Sequence, residues 1–206
     1  MNMYKQMNIK HKTVASWMKY IRNNASDFDI VDRFSECFWE SQLDSKHEII
    51  KFFPDDEHGP VYIFGGWFGI LAQLLDDEFF LSKIYSIDID RHCARVQEQN
   101  FQRDNIVSVT DNMAIYEYPE TPRIVINPST EHVDQPIYDM WWNHIPDDTL
   151  YIIQGNNLEI DEHCRLHDTL EDFKKANHAE KVLKESQIVC EGPDGPFYRY
   201  TVLGVK

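Results

Sequence analysis

The stretch Val61-Tyr62-Ile63-Phe64-Gly65-Gly66-Trp67-Phe68-Gly69-Ile70-Leu71-Ala72 decides the fold class. Four apolar residues with no polar alternation read as a strand buried on both faces, and such strands belong to parallel sheets. The run passes through three glycines directly into an apolar helical stretch. Glycines at a strand-to-helix turn let the backbone approach a ligand closely, and the helix N-terminus behind them offers free N–H groups to an anion. A glycine-rich turn alone is also compatible with nothing more than a tight corner.

Downstream, short apolar runs alternate with polar helical stretches, the pattern of strands joined by crossover helices. Strands are expected at Val61–Phe64, Lys83–Ile87, Ile106–Thr110, Arg123–Ile126 and Leu150–Gln154, with helices at Gly69–Asp76, Arg91–Gln102, Tyr138–Asn143 and Thr169–Ala176. A final pair, Gln187–Cys190 and Tyr198–Val205, flanks the turn Gly192-Pro193-Asp194-Gly195-Pro196 and reads as an antiparallel hairpin. Upstream, Val14, Trp17, Met18 and Ile21, then Ile30, Val31, Phe34 and Phe38, carry helical periodicity. Ser45 and Glu48 have capping-box spacing, which predicts a third helix that ends at Pro54. One domain over residues 1–206 is expected, with a helical extension at 1–60 and an α/β core at 61–206; no repeat or Gly/Ser linker divides it.

The second strand ends in Ser86-Ile87-Asp88-Ile89-Asp90, which places Asp88 nineteen positions after Gly69. In nucleoside-binding α/β folds an acid at this tip, roughly 20 residues after the glycine turn, holds ribose hydroxyls. A third tip carries Asp111, Asn112 and Met113. Glycines, a carboxylate and an Asp-Asn pair on three adjacent strand ends make an adenosine-sized crevice. The same acids could instead cap the helices that follow them.

These residues resemble the class I S-adenosylmethionine-dependent methyltransferases, whose Rossmann-like fold is a mostly parallel sheet closed by an antiparallel hairpin. Ile63 stands where that family carries an acid, and Trp67 where it carries the middle glycine. The combination of Gln42-x-x-Ser45-Lys46, Gly65 to Gly69 and Asn127-Pro128-Ser129-Thr130-Glu131-His132 looks like a small methyltransferase-like group met in bacteriophage genomes. The resemblance implies S-adenosylmethionine as cofactor, with Gly65, Gly66, Trp67 and Gly69 beside its methionine end. It further implies Ser45 and Lys46 over the carboxylate, Asp88 on the ribose, and Asp111, Asn112 and Met113 beside the adenine. Asn127 falls where amino methyltransferases of nucleic acids begin an Asn-Pro-Pro-Tyr-like tetrad, but Ser129 and Thr130 replace its Pro and Tyr.

Methyl transfer needs alignment and, for a protonated nucleophile, a base. Glu131 and His132 are the candidates, with Asn127 beside them; a water-exposed loop is the competing reading. Gln154, Asn156 and Asn157 could bond an acceptor or shape a turn. Trp141 and Trp142 read as packing. His163, Cys164 and His167 do not match a metal site, since the cysteine falls off the face the two histidines would share on a helix, and no metal is expected.

Thirty-five acidic residues against twenty Lys and Arg give a net charge of −15, which disfavours nucleic acid as a partner. The first 26 residues carry Lys5, Lys10, Lys12, Lys19 and Arg22 and no acid, and form the basic anchoring arm that the nucleic-acid alternative requires. No stretch has the roughly 18 consecutive apolar residues of a membrane span. Four scattered cysteines fit reduced thiols, and a cytoplasmic location is expected. The expectation is methyl transfer to an oxygen or nitrogen of a small-molecule acceptor. A nucleic-acid methyltransferase and a non-catalytic cofactor-binding module are the alternatives.

Overall fold

A computed structural model describes residues 8–193 and 195–206; Lys5 of the basic segment and Asp194 of the terminal turn lie outside the described residues. The order is α1 (His11–Asn23), α2 (Phe28–Ser35), a 3-10 turn at Glu36–Phe38, α3 (Glu40–Phe52), β1 (Val61–Phe64), α4 (Ile70–Glu78), β2 (Ile84–Asp88), α5 (Arg91–Asn100) and β3 (Ile106–Thr110). It continues with β4 (Ile124–Asn127), a 3-10 turn at Thr130–His132, α6 (Gln135–His144), β5 (Leu150–Asn156), α7 (Leu170–Ala176), β6 (Lys181–Gly192) and β7 (Gly195–Val205).

The strands form one sheet in the order β3-β2-β1-β4-β5-β7-β6. β1 to β5 pair in parallel, whereas β7 runs antiparallel to both β5 and β6. Because strand side chains alternate between faces, Val61, Ile63, Ile124 and Ile126 pack with α1 to α5 in one layer. Tyr62, Phe64 and Val125 face the other layer, where Tyr138, Trp141 and Trp142 of α6 are buried. The two tryptophans are therefore packing residues.

Helix starts follow local chemistry. Asp27, Asp90, Asp134 and Thr169 cap α2, α5, α6 and α7, each side chain accepting a bond from an early backbone N–H. Asp90 is thus the cap that the competing reading of the acidic tips describes, whereas Asp88 is not. The Ser45–Glu48 spacing does not start a helix: α3 begins at Glu40, and Ser45 and Glu48 lie inside it, buried. Their polar atoms are drawn into tertiary contacts. Ser45 Oγ donates to Gln154 Oε1 at 2.6 Å, and Ser186 Oγ donates to Glu48 Oε2 at 2.8 Å. The terminal hairpin is longer than expected because β6 is mostly exposed and polar, which hides it from an apolar pattern.

The described part of the basic segment is docked and does not form an arm. Trp17 Nε1 donates to Gln73 Oε1 at 3.0 Å, and Thr13 Oγ1 donates to Asp77 Oδ2 at 2.6 Å. Arg103 closes the same junction on Asp77 at 2.8 Å. All four cysteines are free thiols. Among the described residues no helix is long and apolar enough to cross a membrane.

Candidate functional site

Parallel register puts the ends of β1 to β4 along one edge of the sheet. Phe64 pairs with Ile87, and Asp88 pairs with Thr110, so the Gly65 turn, Asp88 and Asp111 are neighbours. Together with Asn127 and the residues after it they border a cavity of about 750 Å³. Further walls come from the loop after β5, from β7, and from α2, the following 3-10 turn and α3, so the N-terminal helices are part of the site.

Of the residues singled out from sequence, Ser45, Lys46, Gly65, Gly66, Trp67, Asp88, Asp111, Asn112, Met113, Asn127, Glu131 and His132 all line this cavity. Gly69 does not. It begins α4 in a left-handed conformation at φ +73°, where a Cβ would sit 2.2 Å from Gln97 Oε1, so it shapes the turn from behind. Trp67 also adopts a left-handed backbone, φ 47°. Such a conformation costs a non-glycine residue about 1–2 kcal/mol. It stands where the resembled motif has its middle glycine, so the turn keeps a glycine-like conformation under an indole.

The conformation of Trp67 is held by Asp88. Trp67 N donates to Asp88 Oδ2 at 2.7 Å, and Asp90 N donates to Asp88 Oδ1 at 2.9 Å. Each carboxylate oxygen keeps a further lone pair for a ligand hydroxyl. Burial raises the Asp88 pKa above the ordinary carboxylate value, with the two amide bonds opposing it. Beside it, Ile89 is 75% exposed and borders the cavity as an apolar rim. At the third tip Asp111 accepts from Asn112 N at 2.7 Å, and Asn112 accepts from Ala114 N at 3.0 Å.

Lys46 is buried with its ammonium on the carbonyl oxygens of Cys37 and Gln42 and on Gln42 Oε1, at 3.1 to 3.3 Å. No carboxylate pairs with it among the described residues. Burial lowers its pKa to about 8, the response of a cation taken from water without a counter-ion. Beside it, the Ser45 hydroxyl donates to Gln154 and ties α3 to the sheet at the cavity wall. Gln154 in turn donates to Ser45 O at 3.0 Å and Thr201 Oγ1 at 2.8 Å. Asn156 donates to Glu131 and accepts from Leu158 N, and Asn157 accepts from Tyr198 N. All three are framework residues.

Asn127 accepts from Ser129 N at 3.1 Å, which fixes its amide orientation. Its Nδ2 is buried and unpartnered, as are Glu131 Oε2 and Arg199 Nε. Buried polar atoms ordinarily have partners, and these three belong to residues that border the cavity. Glu131 is 3.7 Å from Arg199 Nη1 and makes no bond to its neighbour His132. His132 is exposed, and its Nδ1 lies 3.2 Å from the Glu162 carbonyl.

Several lining residues were not foreseen: Arg33, Trp39, His163 and Arg199. Arg199 carried a signal, an arginine inside an apolar strand, which must find a partner if buried; it is 3% exposed. His163 and His167 do not share a helix, because the segment between β5 and α7 is irregular. His163 instead joins Glu131 and His132 in a group of three potential metal ligands, where none was expected.

No protein-family model matches the sequence, and no curated protein matches it. Similarity to solved structures is extensive. A putative S-adenosylmethionine-dependent methyltransferase from Listeria monocytogenes has a TM-score of 0.57 at 10% identity, over 80% of this chain and 100% of that one. The N-methyltransferase NodS from Bradyrhizobium japonicum WM9, in complex with S-adenosyl-L-homocysteine, has a TM-score of 0.60 at 8% identity, over 93% and 99%. The complex between the Haloferax volcanii Trm112 methyltransferase activator and the putative methyltransferase gives 0.62 at 10% identity, over 87% and 96%. With its strand order, its reversed seventh strand and the cavity at the ends of its parallel strands, the chain has the fold of the class I S-adenosylmethionine-dependent methyltransferases.

Proposed function

We propose that the chain binds S-adenosylmethionine and transfers its methyl group to an oxygen or nitrogen of a small-molecule acceptor. The observation that carries the reading is the convergence of the glycine turn, Asp88 and an uncompensated buried ammonium, Lys46, on one cavity. Its volume falls within the roughly 300–1,000 Å³ of small-molecule sites. Asp88 would hold the ribose hydroxyls, Lys46 the methionine carboxylate, Ile89 and Met113 the faces of the adenine, and Gly65 and Gly66 the backbone approach. When bound, the sulfonium supplies an electrophilic methyl carbon: the nucleophile's electron pair forms the new bond as the carbon–sulfur pair returns to sulfur.

The protein's share is alignment and removal of a proton. Asn127 Nδ2 is available only as a donor, so it orients an acceptor oxygen or another lone pair. The nucleophile's proton leaves toward Glu131 and His132. Ser129 and Thr130 offer no ring on which a base could stack, and α1 is packed against α4, so a small acceptor is favoured over nucleic acid.

Calorimetric titration of the full chain with S-adenosylmethionine and S-adenosylhomocysteine tests the reading. Stoichiometric binding of both is expected; heat from neither refutes it.

A further inference from the structure

Glu131, His132 and His163 each present a ligand atom, and the three atoms lie within 4.8 Å of one another. The two chain segments that carry them are joined by the backbone. Cys164 N and Arg165 N both donate to the Glu131 carbonyl, at 2.9 and 3.1 Å, which brings the loop after β5 against the turn after β4.

Both imidazoles are set for ligation. His132 Nδ1 lies 3.2 Å from the Glu162 carbonyl, and His163 Nδ1 lies 2.6 Å from the Leu158 carbonyl. A carbonyl only accepts, so each Nδ1 carries a proton, and in the neutral ring Nε2 then keeps its lone pair. An N–H bonded to a backbone carbonyl is the usual support of a metal-bound histidine. Glu131 supplies the independent observation. It is 2% exposed; one oxygen receives Asn156 Nδ2, and the other, Oε2, is buried without a partner. An edge-on contact between the rings, with centroids 4.6 Å apart, accounts for the proximity of the histidines but not for the orphaned carboxylate oxygen.

We propose that Nε2 of His132, Nε2 of His163 and Oε2 of Glu131 bind a divalent transition-metal ion at the edge of the cavity. Two imidazoles and one carboxylate suit the zinc, cobalt and iron class, and three protein ligands leave positions open, as in sites that engage a substrate. Bonds of about 2.0–2.2 Å require the ligand atoms to draw together as the ion enters. Arg199 faces Oε1, the oxygen that the ion does not use. Glu36, Asp134 and Glu162 also border the cavity and offset the added positive charge.

The consequence for catalysis rests on the methyl-transfer reading and deepens it. With the ion bound, an acceptor hydroxyl on it would lose its proton at lower pH, and Glu131 and His132 would then hold the ion, a route that replaces the direct proton transfer given to them above for the metal-free site.

The test uses the full chain stripped with a chelator, then titrated with cobalt chloride, followed by visible absorption, and with zinc chloride in a calorimeter. One equivalent is expected to bind, with His132→Ala and His163→Ala each weakening binding by roughly 100-fold or more. Thermal melting confirms that the variants fold. Cys164→Ser removes the neighbouring exposed thiol and is expected to leave binding intact. Absence of stoichiometric binding overturns the proposal, as does binding that survives loss of both histidines or disappears with Cys164. S-adenosylhomocysteine titrations of the same samples separate the two readings. Nucleoside binding without metal binding refutes the metal site alone, and metal binding without nucleoside binding supports the site while refuting the cofactor assignment.

Discussion

Replacing Asp88 with alanine removes the carboxylate at the tip of β2 and separates its two duties. Toward a nucleoside it would accept from two ribose hydroxyls. Hydrogen bonds to a charged group contribute about 1.5–3 kcal/mol each, so even at the lower bound the loss is about 3 kcal/mol, or roughly 150-fold in dissociation constant. Toward the protein, the substitution frees the amides of Trp67 and Asp90. Neither residue is fully buried, so water replaces part of what is lost and stability falls by about 1–2 kcal/mol. Calorimetry with S-adenosylhomocysteine, paired with a urea melt, reads both quantities.

The pH dependence provides a further check on Asp88. Its carboxyl pKa is raised by burial, and only the ionised form accepts from both hydroxyls. Nucleoside affinity should therefore fall on acidification, beginning at a higher pH than an ordinary carboxylate would give, and the effect should vanish in the variant. Unchanged affinity in a folded Asp88→Ala protein would refute the ribose assignment and, with it, the reasoning from strand-tip position.

Lys46 makes the opposite prediction at the alkaline end. Burial lowers its pKa to about 8, so the ammonium loses its charge as pH rises through that value and affinity for S-adenosylhomocysteine weakens. In Lys46→Met the affinity should drop by roughly 10–100-fold, its alkaline pH dependence should flatten, and stability should hold or rise because an uncompensated buried cation is gone. Isothermal titration across the pH range checks the first two and denaturant unfolding the third. Phe34 is fully buried and packs on Tyr20, Phe38, Phe68 and Phe101, so Phe34→Ala should cost about 3–5 kcal/mol in urea unfolding. A loss below about 1 kcal/mol would mean that α2 is not held to the core as described.

The sheet was legible where burial on both faces leaves unbroken apolar runs, as in Val61–Phe64, and where glycines and acids mark the tips. Of β6 only Gln187–Cys190 was, because the rest of that exposed edge strand, with its Lys and Glu, has no apolar periodicity to read. The capping-box spacing at Ser45 misled for a related reason. A short-range pattern carries no record of Gln154, which lies 109 residues away in sequence and claims the serine hydroxyl. The cavity wall facing the sheet was recognised at Lys46 but missed at Arg33 and Trp39, since side chains that meet a site only through tertiary packing bear no local motif. His163 was read against His167 because nearness in sequence suggested a shared helix. Its partners, Glu131 and His132, are brought to it by two backbone bonds that no spacing rule contains.

The five tryptophans are divided by the architecture into two optical populations. Trp17, Trp141 and Trp142 are sealed in the two packed layers, at 5% exposure or less. Trp39 and Trp67 border the cavity. Ultraviolet emission from the native chain is therefore a constant background from three shielded indoles plus a signal from two that a bound molecule would shield or quench. The chain carries a label-free fluorescent gauge of whether its cavity is filled.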